Sequence, residues 1–264
     1  MRATSLGHAV FAVTLIALGT LGVVKGNFGA IWQPVPKWLP GREVLAYLCG
    51  AISLASGIAL LMPRHAALGA RMLLAYLLLW LLLFRLPVIL KAPTVEVSWE
   101  GCSETAVLAA GAWVLYALVA TDWDKQRVGF ACGEKGVRIG RAIYGLAMIP
   151  FGLAHIIYVK QTAALVPDWL PSHVTWAYIT GCTYLAAGIA VPIGVCARLA
   201  TALSALQMGL FTLLVWVPVA ATNADAFQWT ETAVSWALTA SGWVVADSYV
   251  GMPWFAVGKG QRRR

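Results

Sequence analysis

Val166-Pro167-Asp168-Trp169-Leu170-Pro171 restates Val35-Pro36-Lys37-Trp38-Leu39-Pro40 at an offset of 131 residues. The match continues downstream. Ala46-Tyr47, Gly50, Leu54-Ala55 and Gly57-Ile58-Ala59 meet Ala177-Tyr178, Gly181, Leu185-Ala186 and Gly188-Ile189-Ala190, so that half of positions 36–59 are identical. Upstream, Gly19 answers to Gly152. Farther on, Pro87 meets Pro218, and Glu104-Thr105-Ala106-Val107 recurs as Glu231-Thr232-Ala233-Val234 after a four-residue slip. An apolar composition alone does not produce such identity, so the sequence reads as one unit written twice.

What surrounds the repeated loop decides its setting. The 264 residues are 60% hydrophobic and 11% charged, with a mean hydropathy of +0.76. Soluble domains carry roughly 25% charged residues, and a globule this poor in charge could not cover its own surface. A soluble enzyme, a disordered chain and a DNA-binding module are excluded on that ground. Eight apolar stretches stand out: Leu6–Val24, Val44–Met62, Met72–Leu90, Thr105–Thr121, Ala142–Val159, Val174–Ile193, Ala200–Ala220 and Thr232–Val250. Each is close to the ~20 residues that cross a hydrocarbon core as a helix. They are apolar all round rather than striped, and no alternating ten-residue pattern suggests a barrel. The expectation is an all-α membrane protein of eight transmembrane helices, arranged as two parallel-repeat four-helix bundles. The units run 1–121 and 142–250. The charged stretch 122–141 is expected as a cytoplasmic linker and 251–264 as a basic cytoplasmic tail.

Lysines and arginines set the orientation. With the N-terminus inside, thirteen fall on the inner side and six on the outer side or in the membrane. Both termini are therefore expected in the cytoplasm, in a bacterial-type inner membrane. The net charge of +8 reports this topology rather than a nucleic-acid surface. The segment 1–26 resembles a signal peptide, but its counterpart in mid-chain argues for a retained first helix.

Polar groups at membrane depth are costly and mark candidate sites. Arg85, His155, Tyr47, Tyr178, Glu104 and Glu231 all map to the outer third of their helices, within roughly 8 Å of one plane at 1.5 Å per residue. Arg85 can either snorkel to the outer surface with Glu96, Glu100 or Glu104 as partner, or form a buried ion pair with a neighbouring acid. Glu104 and Glu231 are read as helix starts, where the dipole favours an acid. Trp169, with Trp38, sits in a stiff Pro-bracketed turn that suits either a headgroup anchor or a lid. Pro150 predicts a kink, and Pro87 and Pro218 loosened outer helix ends. These seven residues (Tyr47, Arg85, Glu104, His155, Trp169, Tyr178 and Glu231) form the expected ligand pocket.

No metal-ligand pattern, phosphate loop, Cys-x-x-Cys or catalytic triad is present. Intrinsic catalysis is not expected, nor is a covalently bound cofactor.

Gly152-Leu153-Ala154-His155, the Val166–Pro171 loop, Tyr178-Ile179-Thr180-Gly181 and Ala187-Gly188-Ile189 resemble the DoxX-like membrane family, with Arg198 in its basic turn. The first unit is similar more loosely, with Gly22 at the histidine position and Arg85-Leu86-Pro87 in place of His-x-Pro. The resemblance implies four-helix membrane units, a quinone as ligand, and a non-catalytic subunit or scaffold of a quinone-linked redox system with partner subunits. A small-molecule transporter is the alternative that parallel repeats suit.

Overall fold

The computed structural model describes residues 5–29, 35–223 and 226–257. The expected inner-side residues Arg2, Lys259 and Arg262–Arg264 lie outside them. The described residues are helical, without strands. Helix α1 (Leu6–Lys25) begins where Ser5 accepts a bond from the His8 amide and ends at Gly26, whose φ of 61° is left-handed. It is followed by α2 (Arg42–Leu61), α3 (Ala66–Lys91), α4 (Glu96–Val119), the short α5 (Asp122–Val128), α6 (Gly133–Ile157), the one-turn-plus α7 (Val159–Ala164), α8 (His173–Ile193), α9 (Ala197–Thr222) and α10 (Ala226–Asp247).

Seven of these helices are long and apolar enough to cross a membrane. Leu48, Leu79, Leu82, Ile189, Leu206 and Leu213 stand more than half exposed on their outer faces. Water would not favour such continuous apolar surface, and hydrocarbon does. This is the pattern of a multi-pass membrane protein. The eighth expected segment is present as α10, with 22 residues, but it is not among the seven. Its sequence carries Gln228, Thr230, Glu231, Thr232, Ser235, Thr239 and Ser241. The reason lies in its position: α10 packs against α1, α4 and α9, so few of its residues need to face lipid.

Sequential helices pack as neighbours, α1–α2–α3–α4 and α6–α8–α9–α10, while α4 also lies along α6 and α10. Helices surrounded by lipid gain little from apolar burial against one another, so close approach and interhelical hydrogen bonds matter more. Glycine supplies the approach. A Cβ on Gly19 would fall 2.4 Å from the Leu54 amide nitrogen and 2.7 Å from the Gly50 carbonyl oxygen. One on Gly152 would fall 2.9 Å from the Leu185 amide nitrogen and 2.7 Å from the Gly181 oxygen.

Other local geometry also recurs at the 131-residue offset. Leu39 donates to the Pro36 carbonyl and Leu170 to the Pro167 carbonyl, which makes both Pro-x-Trp-Leu stretches tight turns. Helices α3 and α9 each contain a five-residue π-helical turn, at Leu81–Arg85 and Thr212–Trp216. Pro87 and Pro218 follow two residues later. A proline ring clashes with the carbonyl four residues back and offers no donor, and the widened turn shifts the register to accommodate it. The loosening expected of these prolines thus takes the form of a π turn. Pro150 lies within a helix that is continuous from Gly133 to Ile157.

The two interiors differ. Phe11, Leu73 and Leu77 fill the first set of helices, all fully buried. In the second set hydroxyls and amides bridge helices: Tyr144 Oη lies 2.9 Å from Ser204 Oγ, Gln207 Nε2 donates to the Thr180 carbonyl at 3.1 Å, and Thr212 Oγ1 lies 2.7 Å from Ser235 Oγ.

The expected linker 122–141 is mostly ordered helix. Asp122–Val128 is α5, Gly129–Ala131 is a 3-10 turn, and α6 starts at Gly133. A capping box sets this off: Thr121 Oγ1 accepts from the Asp124 amide while the Asp124 carboxylate accepts from the Thr121 amide.

Candidate functional site

Arg85 ends the π turn of α3, and that turn sets which way its side chain runs. It is only 6% exposed. Nε donates to Thr105 Oγ1 at 3.0 Å, and an Nη lies 3.9 Å from Glu104 Oε2. Gly101 leaves room for the guanidinium, since a Cβ there would come within 3.3 Å of Nη1. The guanidinium is thus enclosed on α4 rather than free in solvent, and Glu104, one of the partners expected for it, is the acid it faces.

Glu104 is not at a helix start. α4 begins at Glu96, placing Glu104 two turns inside, and Glu231 stands five residues into α10. The dipole does not account for either acid. Glu96, Glu100 and Glu104 recur every four residues along one face of α4. Glu100 lies within electrostatic reach of Glu96, Glu104 and Glu231, and Glu104 within reach of Arg85 and Glu231. Both carboxylate oxygens of Glu96 are enclosed without a hydrogen-bond partner. The result is one buried cation facing a band of carboxylates drawn from two helices. Among the described residues no group of His, Cys, Asp and Glu is arranged to hold a metal ion.

The other expected site residues lie elsewhere. His155 is half-buried in the second set of helices, its Nδ1 2.7 Å from the Phe151 carbonyl and its ring edge-on to Tyr184 and Phe211. Its Nε2 is enclosed and unpartnered. Tyr47 and Tyr178 are 43% and 44% exposed. Trp169, at 68%, and Trp38, at 78%, stand away from the protein, which fits anchors rather than lids.

Three features were not singled out in the sequence. Thr105 is the partner of Arg85, and its only sequence signal is its place beside Glu104. An open apolar groove of about 370 Å³ runs between α1 and α10, lined by Val10, Val13, Leu18, Ala233 and the pair Thr14–Trp236, in which the indole Nε1 donates to Thr14 Oγ1 at 3.0 Å. It touches none of the expected site residues. The third is Asp124, fully buried at the opposite end of α4. Its carboxylate accepts from Tyr116 Oη (2.9 Å), Thr121 N (2.9 Å), Thr121 Oγ1 (2.6 Å) and Arg71 Nη2 (3.0 Å).

No protein-family model, no curated protein and no solved structure matches this chain.

Proposed function

We propose that the chain is a non-catalytic inner-membrane subunit or scaffold of a quinone-linked redox system, which holds a quinone or lipid at the polar end formed by Arg85, Glu104 and Glu231. The observation that carries the reading is the buried Arg85, bonded to Thr105 and facing Glu104 at the end of a membrane-length helix. Burying these charges costs more than an apolar pair of similar volume, and such a cost inside a bilayer marks a functional position by default. A guanidinium and a hydroxyl side by side suit the carbonyl oxygens of a ligand headgroup.

The reading includes eight crossings in two quartets inserted the same way up. The paired Pro-x-Trp-Leu turns, paired π turns and paired glycine contacts favour it. So does the bond from the Gly7 amide to Asp247 Oδ2 at 3.1 Å, because it sets the first turn of α1 beside the last turn of α10, as an even number of crossings requires.

The test is solvent extraction and mass spectrometry of small molecules retained by the purified chain. A quinone or one lipid class enriched over the host membrane, and lost from Arg85→Leu, is the expected result. Retention of nothing beyond bulk lipid by the wild-type chain would overturn the reading.

A further inference from the structure

We propose that the short helix α5 carries a binding site for the phosphate headgroup of an anionic phospholipid, formed by Arg127 and Trp123. The inference rests on the membrane reading above and concerns the end of the molecule opposite Arg85.

Trp123 carries two guanidinium groups over its indole: Arg71 and Arg127 each place Cζ 4.5 Å from the ring centroid. The two arginines are not equivalent. Arg71 spends its edge on Asp124, with Nε 2.8 Å from Oδ1 and Nη2 3.0 Å from Oδ2. Asp124 also takes Tyr116 and Thr121, so it has nothing left for a second arginine. The neighbouring acids are engaged as well, Asp122 by Lys125 at 2.9 Å and Glu134 by Arg138 at 2.8 Å. Arg127 has no hydrogen bond or ion pair among the described residues. It is an exposed cation held over the indole face, without a protein acceptor for its N–H donors, which a phosphate's oxygens can take.

The surroundings identify the occupant as a lipid rather than a soluble anion. α5 joins two membrane-length helices, leaving α4 at Val119 and reaching α6 at Gly133, so it lies at the end of both spans. Trp123 is 48% exposed and Phe130, just beyond, 62%. An aromatic pair half outside the protein at that level sits among headgroups and upper acyl chains. The predominance of lysine and arginine at this end matches the charge of an anionic leaflet.

Native mass spectrometry of the full chain in detergent, incubated separately with phosphatidylglycerol and phosphatidylcholine of the same acyl composition, tests the site. Wild-type chain should retain phosphatidylglycerol over phosphatidylcholine, and Arg127→Gln should lower that preference about fivefold, the equivalent of about 1 kcal/mol per charge near an anionic surface. Arg127→Lys should recover part of it, since charge returns without the fork. Because Arg127 is exposed, the thermal midpoint of Arg127→Gln should match wild type, which separates lost binding from lost folding. Equal retention of the two lipids, an Arg127→Gln preference equal to wild type, or displacement of phosphatidylglycerol by millimolar inorganic phosphate would overturn the proposal. Failure of the wild-type chain to float with neutral vesicles would instead overturn the membrane reading, a separate outcome.

Discussion

Arg71 in α3 and Asp124 in α5 meet across 53 positions of sequence, Nε to Oδ1 at 2.8 Å and Nη2 to Oδ2 at 3.0 Å. The pair ties one end of α3 to the segment that leads from α4 into α6. Burial pushes the Asp124 carboxyl up, but the bonds from Thr121, Arg71 and Tyr116 outweigh it and hold the group down at about 2. A carboxyl lowered in the folded state stabilises above its unfolded value, near 3.8, and that contribution disappears as pH falls through about 2. Detergent-solubilised protein should therefore lose about 2 kcal/mol between pH 4 and pH 2 through this group alone. Asp124→Asn should flatten that part of a stability–pH curve; an unchanged curve would refute the assignment.

Removal of Asp124 also leaves Arg71, Tyr116 and Thr121 without their acceptor. Asp124→Ala is expected to lower unfolding free energy by about 2–3 kcal/mol, the range for hydrogen bonds to a charged group. The solvent access of Arg71 keeps the loss below that of a fully buried pair. Chemical denaturation in detergent, with Arg71→Met as the milder comparison, measures it.

At the other end, Arg85→Leu removes the cation beside Glu104 and the donor to Thr105. A loss of about 3 kcal/mol is expected, because a partly enclosed carboxylate is left uncompensated. The double variant Arg85→Leu/Glu104→Leu should be more stable than Arg85→Leu alone. Additive losses in a double-mutant cycle would mean that the two side chains are not coupled.

Close helix contacts make a third kind of prediction. Gly152→Ala puts a methyl group against the Gly181 carbonyl and the Leu185 side chain, and Gly19→Ala puts one against the Gly50 carbonyl and the Leu54 backbone. Each should cost about 1–3 kcal/mol, as overpacking does. Gly129→Ala, with nothing within 4 Å of the new methyl, is the control. Thermal unfolding of the three variants side by side decides it.

Topology can be read by labelling introduced cysteines. Native Cys132 is buried and Cys102 only partly accessible, so Lys135→Cys and Asp168→Cys on a cysteine-free background serve better. Lys135→Cys should react only after the membrane is opened from the inner side, and Asp168→Cys from outside in intact cells. The reverse pattern would invert the orientation.

Much of the candidate site was legible, though not its form. Arg85, Glu104 and Glu231 stand out in the sequence because charges in apolar stretches are expensive wherever they point, and in the structure Glu104 lies within reach of both Arg85 and Glu231. Tyr47, Tyr178 and His155 share only their depth with these three, and Trp169 only the Pro-bracketed turn expected above them. Depth along a helix says nothing about direction around it, and these four face other helices or the surroundings. Asp124 is not legible in the sequence, because a carboxylate in a charged stretch looks solvated until Tyr116, Thr121 and Arg71 are folded around it.

Composition and spacing by themselves determined that this chain forms long apolar helices and that its Pro-x-Trp-Leu turn occurs twice, because hydrocarbon length and proline geometry act locally and need no partner. They did not determine that α10 is the polar, enclosed helix, that Arg85 turns inward onto Thr105, or that α5 is ordered around Asp124. Those depend on which helices become neighbours. A side chain's cost and direction in a membrane protein are set by what packs against it, and only the tertiary structure supplies that.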